Sequence, residues 1–246
     1  TRVIDTLEEY GGLSFTLKEL AETAGVTPSV IKGMVPSGAV REEDCPRDLP
    51  YPRLDASAPG KELTDAQTGA AMALRTAVSA EAYSTTLLKG VTGSGKTEVY
   101  LEAVAACIAK GRQALVLLPE IALTAEFLTR FEDRFGARPA EWHSGVTMTE
   151  RRRVWKMVGI GGAQVVIGAR SALFLPFQNL GLIVVDEEHD GSYKQEDGVL
   201  YNARDMAVLR ASLCSAAVVL ASATPSLETW ANVEAGKYHR LDLESR

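Results

Sequence analysis

Two stretches carry most of the chemistry open to this chain. The first runs from Gly90 to Thr97, GVTGSGKT, in which Gly90, Gly95, Lys96 and Thr97 fit G-x-x-x-x-G-K-[ST] without a mismatch. Phosphate oxygens need several backbone N–H donors at once, and glycines let the chain curl around them with no Cβ in the way. Val91, Thr92, Gly93 and Ser94 complete the loop. Lys96 is expected to reach the β and γ phosphates and Thr97 to place its hydroxyl on Mg²⁺, over the positive end of the following helix. A merely flexible Gly/Ser loop would not need the strand before it, the helix after it and the Lys-Thr pair. The second stretch, Asp186-Glu187-Glu188-His189, ends an apolar run in three consecutive acids. Neighbouring carboxylates repel by roughly 4 kcal/mol at about 4 Å and an effective dielectric of about 20, so the cluster calls for a cation. Asp186 is the expected Mg²⁺ partner, through water. Glu187 is placed to orient or deprotonate an attacking water, and His189 to bond toward the Ser-Ala-Thr strand end and report nucleotide state. Glu188 has no chemistry of its own in this reading. Alone, such a loop reads as solvated; beside a complete phosphate loop it reads as the metal-and-water half of a nucleotide site.

These residues need strand ends to hold them, and the chain supplies the strands. The runs TTLLK, ALVLL, QVVIG, GLIVVD and AAVVLAS are short, apolar and polar only at their ends, as parallel strands buried on both faces are. Amphipathic segments such as EVYLEAVAACIAKG lie between them, so a doubly wound α/β sheet of RecA-like P-loop type is expected. Ligands of such sheets sit at the carboxyl ends of the strands. Before residue 45 the pattern is short and helical. Thr16 and Glu19 form a capping box, Gly25 turns the chain, and Thr27-Pro28 opens another helix. With GAVRE as a possible strand, residues 1–45 read as a winged helix-turn-helix. Residues 1–60 carry six Lys/Arg against ten Asp/Glu, which favours a packing or spacer role over duplex binding. The expected divisions are this module at 1–45, a linker at 46–62 marked by Pro46, Pro50, Pro52 and Pro59, an ATP-binding lobe at 63–235, and a connector at 236–246.

The 246 residues are 46% hydrophobic and 24% charged, with a net charge of −6, which argues against coating nucleic acid by bulk electrostatics. The three cysteines build neither a disulfide framework nor a zinc knuckle. No leader or membrane-length apolar run is read, so a cytoplasmic location and no membrane partner are expected.

The phosphate loop, D-E-E-H and LASATPS (220–226) together resemble the first motor lobe of superfamily 2 helicases. That resemblance implies that Ser222, Ala223 and Thr224 couple hydrolysis to strand movement. It also makes Gln67, in LTDAQ, the adenine-reading glutamine; a Gln can bond the N6 and N7 edge of adenine. Residues 117–124, LLPEIALT, and 167–174, IGARSALF, each follow a strand. Backbone amides after Pro119, with Thr124 and Arg170, suit phosphates of a single DNA strand, whereas an ion pair is the plainer use of Arg170. Arg151, Arg152 and Arg153 point about 100° apart on a helix and read as a solvated face.

A narrower resemblance rests on LLPEIALT, WHSG, VIGARSALFLPFQNLGLIVVDEEHDGSYKQEDG, YNARDMAVLRA and SATPSLET…GKY. These resemble the bacterial replication-restart helicases, the primosomal protein N′ (PriA) family. The resemblance implies an ATP- and Mg²⁺-dependent, 3′-to-5′ translocase on single-stranded and forked DNA. It implies primosome proteins and single-strand-binding protein as partners, and a monomer. It places a second motor lobe, its arginine finger and zinc-binding cysteines outside this sequence. Tyr193, Lys194, Tyr201 and Arg204 suit a stacking-and-phosphate contact in the loop after D-E-E-H, while Val199 stands where that family usually has an aromatic. A fork-reversal or repair translocase of the same superfamily, and a non-catalytic ATP-sensing scaffold, are the alternatives.

Overall fold

The five apolar runs become the middle of one sheet. In the computed structural model, which describes residues 2–9, 15–42, 48–119, 122 and 124–243, they form β1 (Ser84–Gly90), β2 (Gln113–Leu117), β4 (Val165–Gly168), β5 (Leu180–Asp186) and β8 (Ala217–Ser222). Two edge strands, β3 (Ala140–Trp142) and β9 (His239–Leu243), complete the order β3-β4-β2-β5-β8-β1-β9. Every pairing in it is parallel. A short antiparallel pair, β6 (Lys194–Gln195) with β7 (Tyr201–Asn202), stands apart.

The strands read as unbroken apolar runs because both faces are covered. On β5, Leu182 and Val184 join one core, and Ile183 and Val185 the other. β2 splits the same way, Ala114 and Val116 against Leu115 and Leu117. The first core takes residues of α4 (Asp65–Ser79), α5 (Lys96–Ala109) and α6 (Ala125–Phe135); the second takes residues of α7 (Met148–Gly159) and α8 (Ala203–Cys214). Between β8 and β9 lies α9 (Leu227–Glu234).

Contacts divide the chain into two compact units, Thr1–Arg47 and Asp48–Arg246. The smaller holds α1 (Arg2–Glu9), α2 (Leu17–Ala24) and α3 (Pro28–Met34) around Val3, Leu20, Ala21, Ala24 and Ile31. The Thr16–Glu19 capping box opens α2, and Gly25 at φ 62° ends it in the left-handed conformation. The wing strand expected at 38–42 is not formed; these residues are turns, bends and irregular chain. Among the described residues of this unit there is no other strand for it to pair with, and a lone strand leaves its backbone groups unbonded.

The proline-rich segment expected as a linker is bound along the larger unit. Asp48 pairs with Arg152 at 2.8 Å and Lys156 at 3.4 Å. Tyr51 N–H donates to Gly162 O, Leu54 N–H to Gln164 Oε1, and Asp55 N–H to Phe135 O. Arg153 stacks over the Tyr51 ring and donates to Leu49 O. Two arginines of the solvated face thus hold this strap. Likewise, residues 239–243 of the expected connector form the β9 edge strand.

A single buried amide fastens the lower end of the sheet. Gln113 Nε2 donates to Val158 O and Ala163 O, while its Oε1 accepts from the backbone N–H groups of Gln178 and Asn179. Gln113→Leu leaves four backbone groups without their partner. It should cost about 2–4 kcal/mol, read as a lower Tm by calorimetry; an unchanged Tm would show that water replaces the amide.

Candidate active site

The phosphate loop joins β1 to α5. Gly93 and Gly95 take φ of 80° and 84°, a conformation that favours glycine. A Cβ on Gly90 would meet Ser94 Oγ, and one on Gly95 the side-chain amide of Gln67. Lys96, buried, turns its Nζ to Gly90 O at 2.9 Å and Val91 O at 3.4 Å, and lies 3.7 Å from Glu187 Oε1. Ser94 Oγ is buried with no hydrogen-bond partner. A curled loop with an orphaned hydroxyl, an ammonium held only by oxygens and a helix start is a donor set that fits a polyphosphate. Val91 and Thr92 are exposed, and Thr97 is half-buried on the first turn of α5. Gln67 caps α4 by accepting from Thr64 N–H at 2.9 Å, and donates to Ser94 O at 2.9 Å. Its amide therefore ties α4 to the loop and keeps one N–H and one lone pair for further bonds.

Asp186 closes β5. Tyr100 Oη donates to its Oδ2 at 2.9 Å and Glu187 N–H to its Oδ1 at 3.0 Å. Burial pushes the Asp186 carboxyl up to about 6, against the Tyr100 hydrogen bond, which lowers it. Glu187 stands at φ 47°, a left-handed conformation that costs a residue with a Cβ about 1–2 kcal/mol. The turn that holds it there bonds Asp190 N–H to Glu187 O at 2.8 Å. From Glu187 the contacts continue. Its Oε2 is 3.6 Å from His189 Nδ1, which is 2.8 Å from Ser222 Oγ, which accepts from Thr224 N–H at 3.0 Å. Lys96, Glu187, His189 and Ser222 form one connected line; Ala223 is half-buried and Thr224 exposed beyond it.

The residues expected to meet DNA do not share one surface. Tyr193 is 1% exposed and donates to Asp186 O at 2.6 Å and Leu117 O at 3.0 Å, so it pins two strand ends and offers no face for a base. Arg204 is buried too, its guanidinium spent on Glu188, Asp205 and Ser226. Both expectations are corrected: the residue types suit stacking and phosphate contact, and the fold turns them inward. Arg170 donates to Ser192 O and Lys194 O and so braces the loop after the acids. Thr124 caps α6 through Phe127 N–H, Pro119 is buried, and the amides of Glu120 and Ile121 lie outside the described residues. Lys194 remains exposed in an ion pair with Glu196, Tyr201 packs edge-on to Phe174 at 5.2 Å, and Val199 is 80% exposed.

Two residues at the site escape sequence reasoning. Tyr100 follows Lys96 and Thr97 by four and three residues, a helical spacing that puts all three on one face and is visible in the sequence. Glu188, 1% exposed, bonds Ser226, Thr229 and Arg204, and nothing in the sequence gives it a direction.

The raised Asp186 pKa has a definite sign. Above about pH 6 a buried charge is carried, and as pH falls from 6 toward 3.8 the folded protein takes up its proton before the unfolded chain and gains stability from this group. Asp186→Asn should therefore stabilise the fold at about pH 8, by at most about 3 kcal/mol and read as a higher Tm, and the gain should fade near pH 4. Calorimetry across that range checks it, and a gain that grows on acidification would refute the burial argument.

Comparison with known proteins agrees with this geometry. The family described as DEAD/DEAH box helicase matches residues 67–233. The replication restart protein PriA of Rickettsia conorii is 55% identical over 166 residues, 68% of this chain and 26% of that protein. Its namesake from Bacillus subtilis is 39% identical over 242 residues, 98% of this chain and 30% of that protein. The chain thus spans well under half the length of these relatives. Among solved structures, the DUF1998 helicase MrfA shares the fold with a TM-score of 0.53 and 23% identity, over 75% of this chain and 30% of that one. With its phosphate loop, its acidic strand end and this match across most of its length, the chain belongs to the DEAD/DEAH box helicase family.

Proposed function

We propose that this chain is the ATP-binding motor lobe, preceded by a small helical unit, of a DNA helicase that acts in replication restart. The observation that carries the reading is the line from Lys96 through Glu187 and His189 to Ser222, set beside a complete phosphate loop. The relatives named for replication restart narrow it.

In this reading Mg·ATP supplies the transferable phosphoryl group and the charge that the site answers. Among the described residues no three His, Cys, Asp or Glu side chains gather for a metal, so Mg²⁺ would rest on Thr97, Asp186 and the phosphates it arrives with. Lys96 gives up loop carbonyls for phosphate oxygens. Glu187, held in its strained turn, orients the attacking water and accepts its proton. Asp186, fixed by Tyr100 on one oxygen, stays aimed at the cation. His189 passes the change at Glu187 to Ser222. Gln67 keeps a free N–H and lone pair for an adenine edge. Arg170, Lys194, Tyr201 and the ends of β2 and β4 are the proposed path for single-stranded DNA, followed 3′-to-5′ at a fork. Single-strand-binding protein and primosome proteins are the proposed partners, in a cytoplasmic setting. No described helix is long and apolar enough to cross a membrane.

Turnover by this lobe alone is expected to be poor, since an arginine facing the γ phosphate from a second lobe is worth about 10³-fold or more. In the full-length protein, Glu187→Gln should lower DNA-stimulated ATP turnover by about 10²-fold or more while nucleotide binding persists. Lys96→Ala should lose the binding. Phosphate release with and without single-stranded DNA, alongside nucleotide titration, measures both. A Glu187→Gln protein that turns over ATP and unwinds a fork as the parent does would leave a non-catalytic ATP sensor as the better reading.

A further inference from the structure

We infer that Glu188 is a positioning residue that makes the loop after β8 move with the acidic loop after β5. The inference rests on the motor reading above and adds to it a residue that the nucleotide chemistry does not use.

The geometry is a double grip. His189 holds Ser222, and the preceding residue, Glu188, holds Ser226, so two neighbours on one loop clasp both ends of the five-residue segment 222–226. Glu188 Oε1 accepts from Ser226 N–H at 2.7 Å. Its Oε2 accepts from Ser226 Oγ at 2.9 Å, Thr229 Oγ1 at 3.0 Å and Arg204 Nη1 at 3.4 Å. Its own N–H donates to Ala221 O at 3.1 Å. Ser226 is the N-cap of α9, with Oγ accepting from Thr229 N–H, so Glu188 holds the start of that helix. Arg204 closes the ring by donating to Ser226 Oγ at 2.6 Å.

A carboxylate is the group this position requires. Both oxygens face donors, and an acceptor-only head can answer them all. A glutamine of the same shape must turn its NH₂ toward either the Ser226 N–H or the Arg204 guanidinium, setting donor against donor. Any shift of Glu187 on the phosphate side then reaches α9 through Glu188 and β8 through His189, and the segment between them has no independent position. A residue that only filled the core would not need four donors converging from α8 and α9.

The test uses the full-length protein with E188Q and S226A, which cut the grip from opposite sides. ATP turnover is measured with and without single-stranded DNA, and hydrogen–deuterium exchange of peptides covering 186–190 and 222–234 with and without a non-hydrolysable Mg·ATP analogue. For E188Q the expected basal turnover stays within about twofold of the parent. Its stimulation by DNA falls about tenfold. Nucleotide-dependent protection survives at 186–190 and disappears at 222–234. S226A behaves alike, and the double variant is no worse than either single one. The inference is overturned if E188Q keeps both its stimulation and the 222–234 response. It is overturned equally if basal and stimulated turnover fall together with the folded fraction while S226A matches the parent. Should E188Q not fold, S226A alone decides by the same two readouts. A parent protein with no nucleotide-dependent turnover at all would remove the motor reading itself, an outcome distinct from both.

Discussion

Strand register is the constraint on which everything at this site depends. Asp186 at the end of β5 lies level with Ala221 of β8, and Ser222 lies level with Lys89 of β1, one residue before the phosphate loop begins. A slip of one residue in any of these ladders would turn apolar side chains to the wrong core. The two-sided burial that makes the strands so plainly apolar therefore also sets the level of their polar ends. Loop, acid and hydroxyl meet because three strands, β5, β8 and β1, end at one height.

At that height the structure accepts local cost. Glu187 sits in a left-handed backbone, Asp186 carries its carboxyl in a buried setting, and Ser94 keeps an unpaired hydroxyl. Each is unfavourable by itself, and they cluster at one end of the sheet. The opposite end is densely bonded around β2, where Gln113 fills all four of its bonds and Arg112 donates to Asn179, Leu180, Cys214 and Ser215. It too carries costs: Ser84 Oγ is buried without a partner, and Glu81 and Ser215 stand at φ 51° and 50°. What sets the carboxyl end apart is that a strained turn, a buried acid and an unpaired hydroxyl lie together on the phosphate loop and the acidic loop, where ligand contacts can complete the bonding.

Much of this was legible in the sequence, for a specific reason. The phosphate loop is contiguous, so eight residues name both the turn and its ligand, and the five core strands are apolar runs with sharp ends. β3, three residues long, and β9, with its exposed edge, lack such runs and are missed. Side-chain direction is the other gap. Tyr193 and Arg204 have the right chemistry for nucleic acid, yet the bonds that turn them inward, of Tyr193 to Leu117 and Asp186 and of Arg204 to Glu188, are set by tertiary packing and follow no local spacing rule. Composition likewise reads the prolines of the strap as a linker, although hydrogen bonds bind it to the lobe.

That strap shows what prolines do when a segment must be held without becoming a strand. Pro50, Pro52 and Pro59 have no N–H to offer, so they cannot recruit a neighbouring chain along that edge. The residues between them, Tyr51, Leu54 and Asp55, donate one at a time to the turn before β4, to Gln164 and to the end of α6. The segment therefore behaves as a row of separate rivets and not as an eighth strand. It seals Leu54 into the first core while leaving the sheet no extra edge to pair, and the boundary of the larger unit lies where the rivets begin, at Asp48, and not where the helices do.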